Sequence, residues 1–137
     1  MSHTCKSLVL HCIDFRLGEP IKKFLESEQY LGDCDIVSIA GAAKNIAAPA
    51  SPAEAEFVLK QIEISNRLHH IETVMLINHT DCGAYGGKAA FASAETEHDA
   101  HVSDMQKAKE IIMQKYPNLK VELALAHIDD SGKVSIQ

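Results

Sequence analysis

The chain has 137 residues, enough for one domain with a buried core and too few for two. Hydrophobic residues make up 46% of it and charged residues 23%, the balance of a folded globular domain rather than of a disordered or fibrous chain. Thirteen Lys plus Arg against nineteen Asp plus Glu leave a net charge of -6, so no basic field draws in a phosphate backbone and nucleic acid is not expected as a partner.

In chain order, Ser7 to Cys12 is a short apolar run of strand length. A helix is predicted after Pro20, running towards Gln29. A second strand spans Asp35 to Ala40. Ser51-Pro52-Ala53-Glu54 then combines a capping Ser, a Pro at the first helical position and a Glu at the third, which starts a second helix. Ala55, Val58, Leu59 and Ile62 continue it, Leu68 extends its apolar face, and His69 and His70 suit its C-terminus, where the helix dipole welcomes a cation. Thr73 to Asn78 is a third strand. A third helix is predicted from about His101 to Tyr116, with Val102, Met105, Ala108, Ile112 and Tyr116 on one stripe and Pro117 ending it. Val121 to His127 is a fourth strand, and a small last strand falls around Val134.

Strands of such continuous apolarity are covered on both faces, and their alternation with helices predicts an α/β fold. The expected architecture is a single three-layer domain over residues 1–137, with a largely parallel central β-sheet flanked by helices. No repeat or linker divides it. Runs such as Leu8-Val9-Leu10 and Val74-Met75-Leu76-Ile77 fall far short of the roughly 18 residues of a membrane span, and no signal peptide is legible. The four cysteines are therefore expected as thiols in a reducing compartment, which places the protein in the cytoplasm.

Ligands of parallel sheets bind beyond the carboxyl ends of the strands. Two motifs stand there: Cys12-Ile13-Asp14-Phe15-Arg16 after the first strand and His79-Thr80-Asp81-Cys82-Gly83 after the third. In an extended segment Cys12, Asp14 and Arg16 share a face while Ile13 and Phe15 pack inward. His79 and Cys82, three apart, meet on one side of a turn, and if the two strands are neighbours both motifs converge. Two cysteines and one histidine suffice for Zn²⁺ and leave a fourth position open to water. Asp14 either closes that position or is held off it by a salt bridge to Arg16. Two thiolates acidify a bound water less than three histidines do, so activity is expected to rise on the alkaline side.

The remaining candidates have plainer readings. Cys5 and Cys34 read as packed structural thiols. His98 and His101 read as a solvated helix start, and His127 as a packed or surface histidine. Three residues between Cys12 and Arg16 are too few for the phosphate cradle of a Cys phosphatase, and the glycines from Gly83 to Gly87 lack the spacing of a phosphate-binding loop.

Cys-x-Asp-x-Arg, the later His-x-x-Cys-Gly and Ala40-Gly41 after the second strand resemble the β-class carbonic anhydrases, in an order of elements that agrees from about Ser7 through Ile128. The resemblance implies Cys12, His79 and Cys82 as zinc ligands. Asp14 and Arg16 would then be the pair that orients or replaces the zinc-bound water. It further implies reversible hydration of carbon dioxide to bicarbonate by zinc-bound hydroxide, a pocket shaped by the backbones of Gly41 and Gly83, and a homodimer or higher homo-oligomer. Ser38-Ile39 stands where the family commonly has Arg-Asn, and few residues precede the first strand, so no N-terminal helical arm is expected. Both departures point to a small archaeal-type or minimal branch. A zinc hydrolase of carbonyl sulfide or carbon disulfide and a non-catalytic zinc module share the same ligand set.

Overall fold

The computed structural model describes residues 3–137. Five strands, β1 (Ser7–His11), β2 (Cys34–Ser38), β3 (Thr73–His79), β4 (Lys120–Ile128) and β5 (Val134–Ile136), form one sheet in the order β2-β1-β3-β4-β5. The first four are parallel and β5 closes the far edge antiparallel to β4. Four helices connect them: α1 (Gly18–Ser27), the short α2 (Lys44–Ala47), α3 (Pro52–His69) and α4 (Ala94–Lys115).

Successive residues of a strand face opposite ways, which sorts the core into two halves. Leu8, Leu10, Val74, Leu76 and Val121 pack with Ile46 of α2, Val58 and Ile62 of α3, and Met105, Ala108 and Ile112 of α4. On the other face Val9, Met75, Ile77 and Ala124 pack with Ile21 and Leu25 of α1. The sheet is thus covered on both sides, and the three-layer α/β architecture expected from the alternation of elements is the one observed. Among the described residues no helix is long and apolar enough to cross a membrane.

Several local expectations are corrected. Helix α4 begins at Ala94 rather than near His101, because Ser93 caps it by accepting from the Thr96 amide at 3.1 Å. The added turns are polar, so apolar periodicity is silent over them. At the start of α3 the Ser51 hydroxyl makes no capping bond; Glu54 instead folds back to accept from the Ala50 amide at 2.7 Å. Leu68 and Val102, expected on apolar faces, are exposed. Ile13 and Phe15 are also exposed, at 63% and 92%, instead of packed inward. The extended backbone ends at His11 and the chain tightens into a 3-10 turn at Phe15–Leu17, so strand alternation no longer governs them.

Candidate metal centre

The register of the sheet builds the site. β1 lies beside β3 with His11 opposite Ile77, so the residues that leave the two strands emerge side by side at their carboxyl ends. The ligand atoms of Cys12, His79 and Cys82 all lie within 4.8 Å of one another, and all three residues are buried. The sulfurs of Cys12 and Cys82 are 4.0 Å apart. That contact pushes the Cys12 thiol well down and the Cys82 thiol well up, so one proton is held between two sulfurs. The backbone amides of Gly41 and Asp14 further favour the Cys12 thiolate.

His79 places Nδ1 at 2.7 Å from the Thr80 carbonyl, which fixes the proton on that nitrogen. Nε2 is fully buried beside the two sulfurs and without a hydrogen-bond partner among the described residues. An orphaned buried nitrogen costs about 1–3 kcal/mol. A cation shared with the two sulfurs removes that cost, and a Cys₂His donor set with a free fourth position suits a catalytic zinc ion. The residues present therefore fit the metal.

Asp14 sits at the rim, with Oδ2 3.9 Å from His79 Nε2. Its carboxylate is held by Arg16: Oδ1 accepts from the Arg16 amide at 2.9 Å and from Nε at 3.0 Å, and Oδ2 accepts from Nη2 at 2.8 Å, which leaves Oδ2 one lone pair free. This fork holds Asp14 down to about 2 and raises the guanidinium still further above its usual range. Arg16 also reaches across to the other motif, donating from Nη1 to Asp81 Oδ2 and from Nη2 to the Asp81 carbonyl, both at 3.1 Å.

The two glycines expected to shape the pocket differ. Gly41 has φ +83, and a Cβ there would stand 3.0 Å from the Ala84 Cβ, so backbone conformation and close packing both demand glycine. A Cβ at Gly83 would meet no described atom within 4 Å.

Sequence reasoning passed over Asp81. It adopts a left-handed φ of 55°, its amide donates to Glu97 Oε2 at 2.7 Å, and its Oδ1 accepts from the Lys88 amide at 2.9 Å. Its place between His79 and Cys82 was the available signal. His101 was misread: it is completely buried, with Nδ1 3.1 Å from Asn78 Nδ2 and its ring edge-on to Tyr85 at 4.4 Å. Asn78 also donates to the Tyr85 hydroxyl, which in turn donates to Asp104 at 2.7 Å. His98 stacks on His127, ring centroids 6.0 Å apart.

Residues 2–136 match the family model described as "Putative carbonic anhydrase". The chain belongs to this carbonic anhydrase family. An uncharacterized protein of Rickettsia bellii is 32% identical over 126 residues, covering 90% of this chain and 77% of that protein. One of Rickettsia conorii is 31% identical over 126 residues, covering 90% of this chain and 68% of its own. A tetrameric β-carbonic anhydrase of Sordaria macrospora superposes with a TM-score of 0.66 at 14% identity, over 98% of this chain and 81% of its own. For a Trichomonas vaginalis β-carbonic anhydrase the TM-score is 0.63 at 12% identity, over 98% of this chain and 83% of the other. The β-carbonic anhydrase fold expected from two short motifs is thus the fold of the whole described chain. In this carbonic anhydrase fold the Cys₂His cluster stands where a parallel sheet presents its ligand site, at the carboxyl ends of neighbouring central strands.

Proposed function

We propose that the protein is a zinc-dependent carbonic anhydrase that interconverts carbon dioxide and bicarbonate, with Cys12, His79 and Cys82 as the ligands of the ion. The observation that carries this reading is the buried, partnerless Nε2 of His79 facing the two sulfurs, within a chain of this family. When bound, zinc supplies the Lewis acidity by which water becomes a nucleophile near neutral pH.

The chain's own residues do the rest. Asp14, ionised at any working pH, is an acceptor only, so its Oδ2 selects and orients a partner that has a hydrogen to give. Arg16 holds the carboxylate in place through three hydrogen bonds, which favours Asp14 as an orienting group over Asp14 as a closing ligand. The Gly41 amide serves the Cys12 sulfur, and the backbones of Gly41 and Gly83 would shape the pocket without side chains of their own. The whole chain acts as one zinc-binding domain, in the cytoplasm and as a homodimer or higher homo-oligomer.

Stopped-flow hydration of carbon dioxide by protein carrying one zinc in this centre tests the reading. Turnover that rises with pH through the alkaline range, and that falls to the uncatalysed background in Cys12→Ala, is the expected outcome. Full zinc occupancy of the centre without turnover at any pH overturns it.

A further inference from the structure

A second group of metal-binding side chains lies at the opposite end of the sheet. Cys5, just before β1, Asp35 on β2 and His69, the last residue of α3, bring their ligand atoms within 4.8 Å of one another. We propose that these three residues form a second metal site, for a divalent ion of the zinc class, about 20 Å along β1 from Cys12.

The three donors come from three separate elements that are tied together independently of any metal. The Cys5 amide donates to the His69 carbonyl at 3.1 Å, which fastens the chain before β1 to the end of α3. Asp35 Oδ2 lies 2.6 Å from His69 Nδ1 and accepts from the Ser65 hydroxyl at 2.6 Å. Ser65 is buried, so the carboxylate is oriented by a group behind it, as the carboxylates of metal sites are.

Charge and softness point to the ion. When the ion binds, the Cys5 thiol proton goes to solvent and the imidazole carries its hydrogen on Nε2 instead of Nδ1, so that the ion replaces the hydrogen shared with Asp35; thiolate, carboxylate and neutral imidazole then sum to two negative charges, which a dication cancels. A sulfur and a nitrogen among three donors favour zinc-class ions over magnesium or calcium, which take oxygen. Without an ion Cys5 is poorly served: its contact to the Ser7 carbonyl is long, 3.5 Å, and burial together with the Asp35 charge keeps it a thiol. All three side chains are half-buried, which leaves room for a water as fourth ligand.

The experiment is a zinc titration of the metal-free chain against a competing chromophoric chelator. The chain is expected to take up one more equivalent than either His69→Gln or Cys5→Ser, and this difference stands whether or not the Cys12 centre fills. The two variants also serve as each other's check, since Cys5→Ser is nearly isosteric and retains the fold if His69→Gln does not. Cobalt added to a Cys12→Ala, Cys82→Ala chain is expected to give thiolate-to-metal absorption that Cys5→Ser abolishes. Equal zinc uptake by all three proteins, or cobalt absorption that survives Cys5→Ser, overturns the proposal.

Discussion

A histidine without access to water is a stability device with a sign. His101 is completely buried, and burial above all keeps its imidazole neutral, with the pKa lowered to about 4. In the unfolded chain the same group titrates near 6.5. Because the folded value is the lower one, the unfolded chain takes up the proton first as pH falls. The contribution of neutral His101 is whole above about pH 6.5 and is lost progressively down to about pH 4. Urea unfolding of the wild type and of His101→Gln at pH 7, 5.5 and 4.5 should show the wild type losing up to about 3 kcal/mol more than the variant across that window; parallel losses would remove His101 from the account. The same residue shows where a sequence is mute. Cys12, His79 and Cys82 were legible because their chemistry is rare and their places at strand ends are given by apolar runs. His101 and Asp81 were not, since burial by a neighbouring element and a left-handed backbone leave no mark in the local pattern.

At the scale of the element, the end of α3 carries a removable strain. His70 closes the helix with φ 53 and ψ 45, a left-handed conformation that a side chain resists and glycine does not. The residue is exposed, so His70→Gly is expected to stabilise the protein by about 0.5–1 kcal/mol, read as a higher urea midpoint at unchanged slope. Element positions were largely readable for the strands, whose apolar runs match within a residue or two, because burial on both faces writes itself into composition. The first two turns of α4 were not, because Glu95 to Asp99 are polar and only the Ser93 cap marks where the helix starts. Ile13 and Phe15 were misassigned for a related reason: the alternation rule was extended past the last strand residue.

For the whole molecule, a metal that binds only the folded chain stabilises it by mass action. At free zinc about a thousand times its dissociation constant this amounts to about 4 kcal/mol, or a rise of roughly 10 °C in melting temperature for a domain of this size. Calorimetry of zinc-loaded and chelator-treated protein checks this, and identical melting temperatures would count against zinc as a resident ion. Cys12, His79 and Cys82 gather at the ends of β1 and β3, so an ion held there would act on the centre of the sheet rather than on an edge. Arg16 adds a mechanical aspect. It grips Asp14 from its own loop and Asp81 from the loop after β3, while Asp14 Oδ1 and Asp81 Oδ1 each hold a backbone amide, of Arg16 and Lys88. Arg16 is therefore a strut between the two loops. A swing of Asp14 towards the centre gives up its three hydrogen bonds to Arg16 and leaves that guanidinium with Asp81 alone, so the resting place of Asp14 is set by a side chain anchored on the opposite loop.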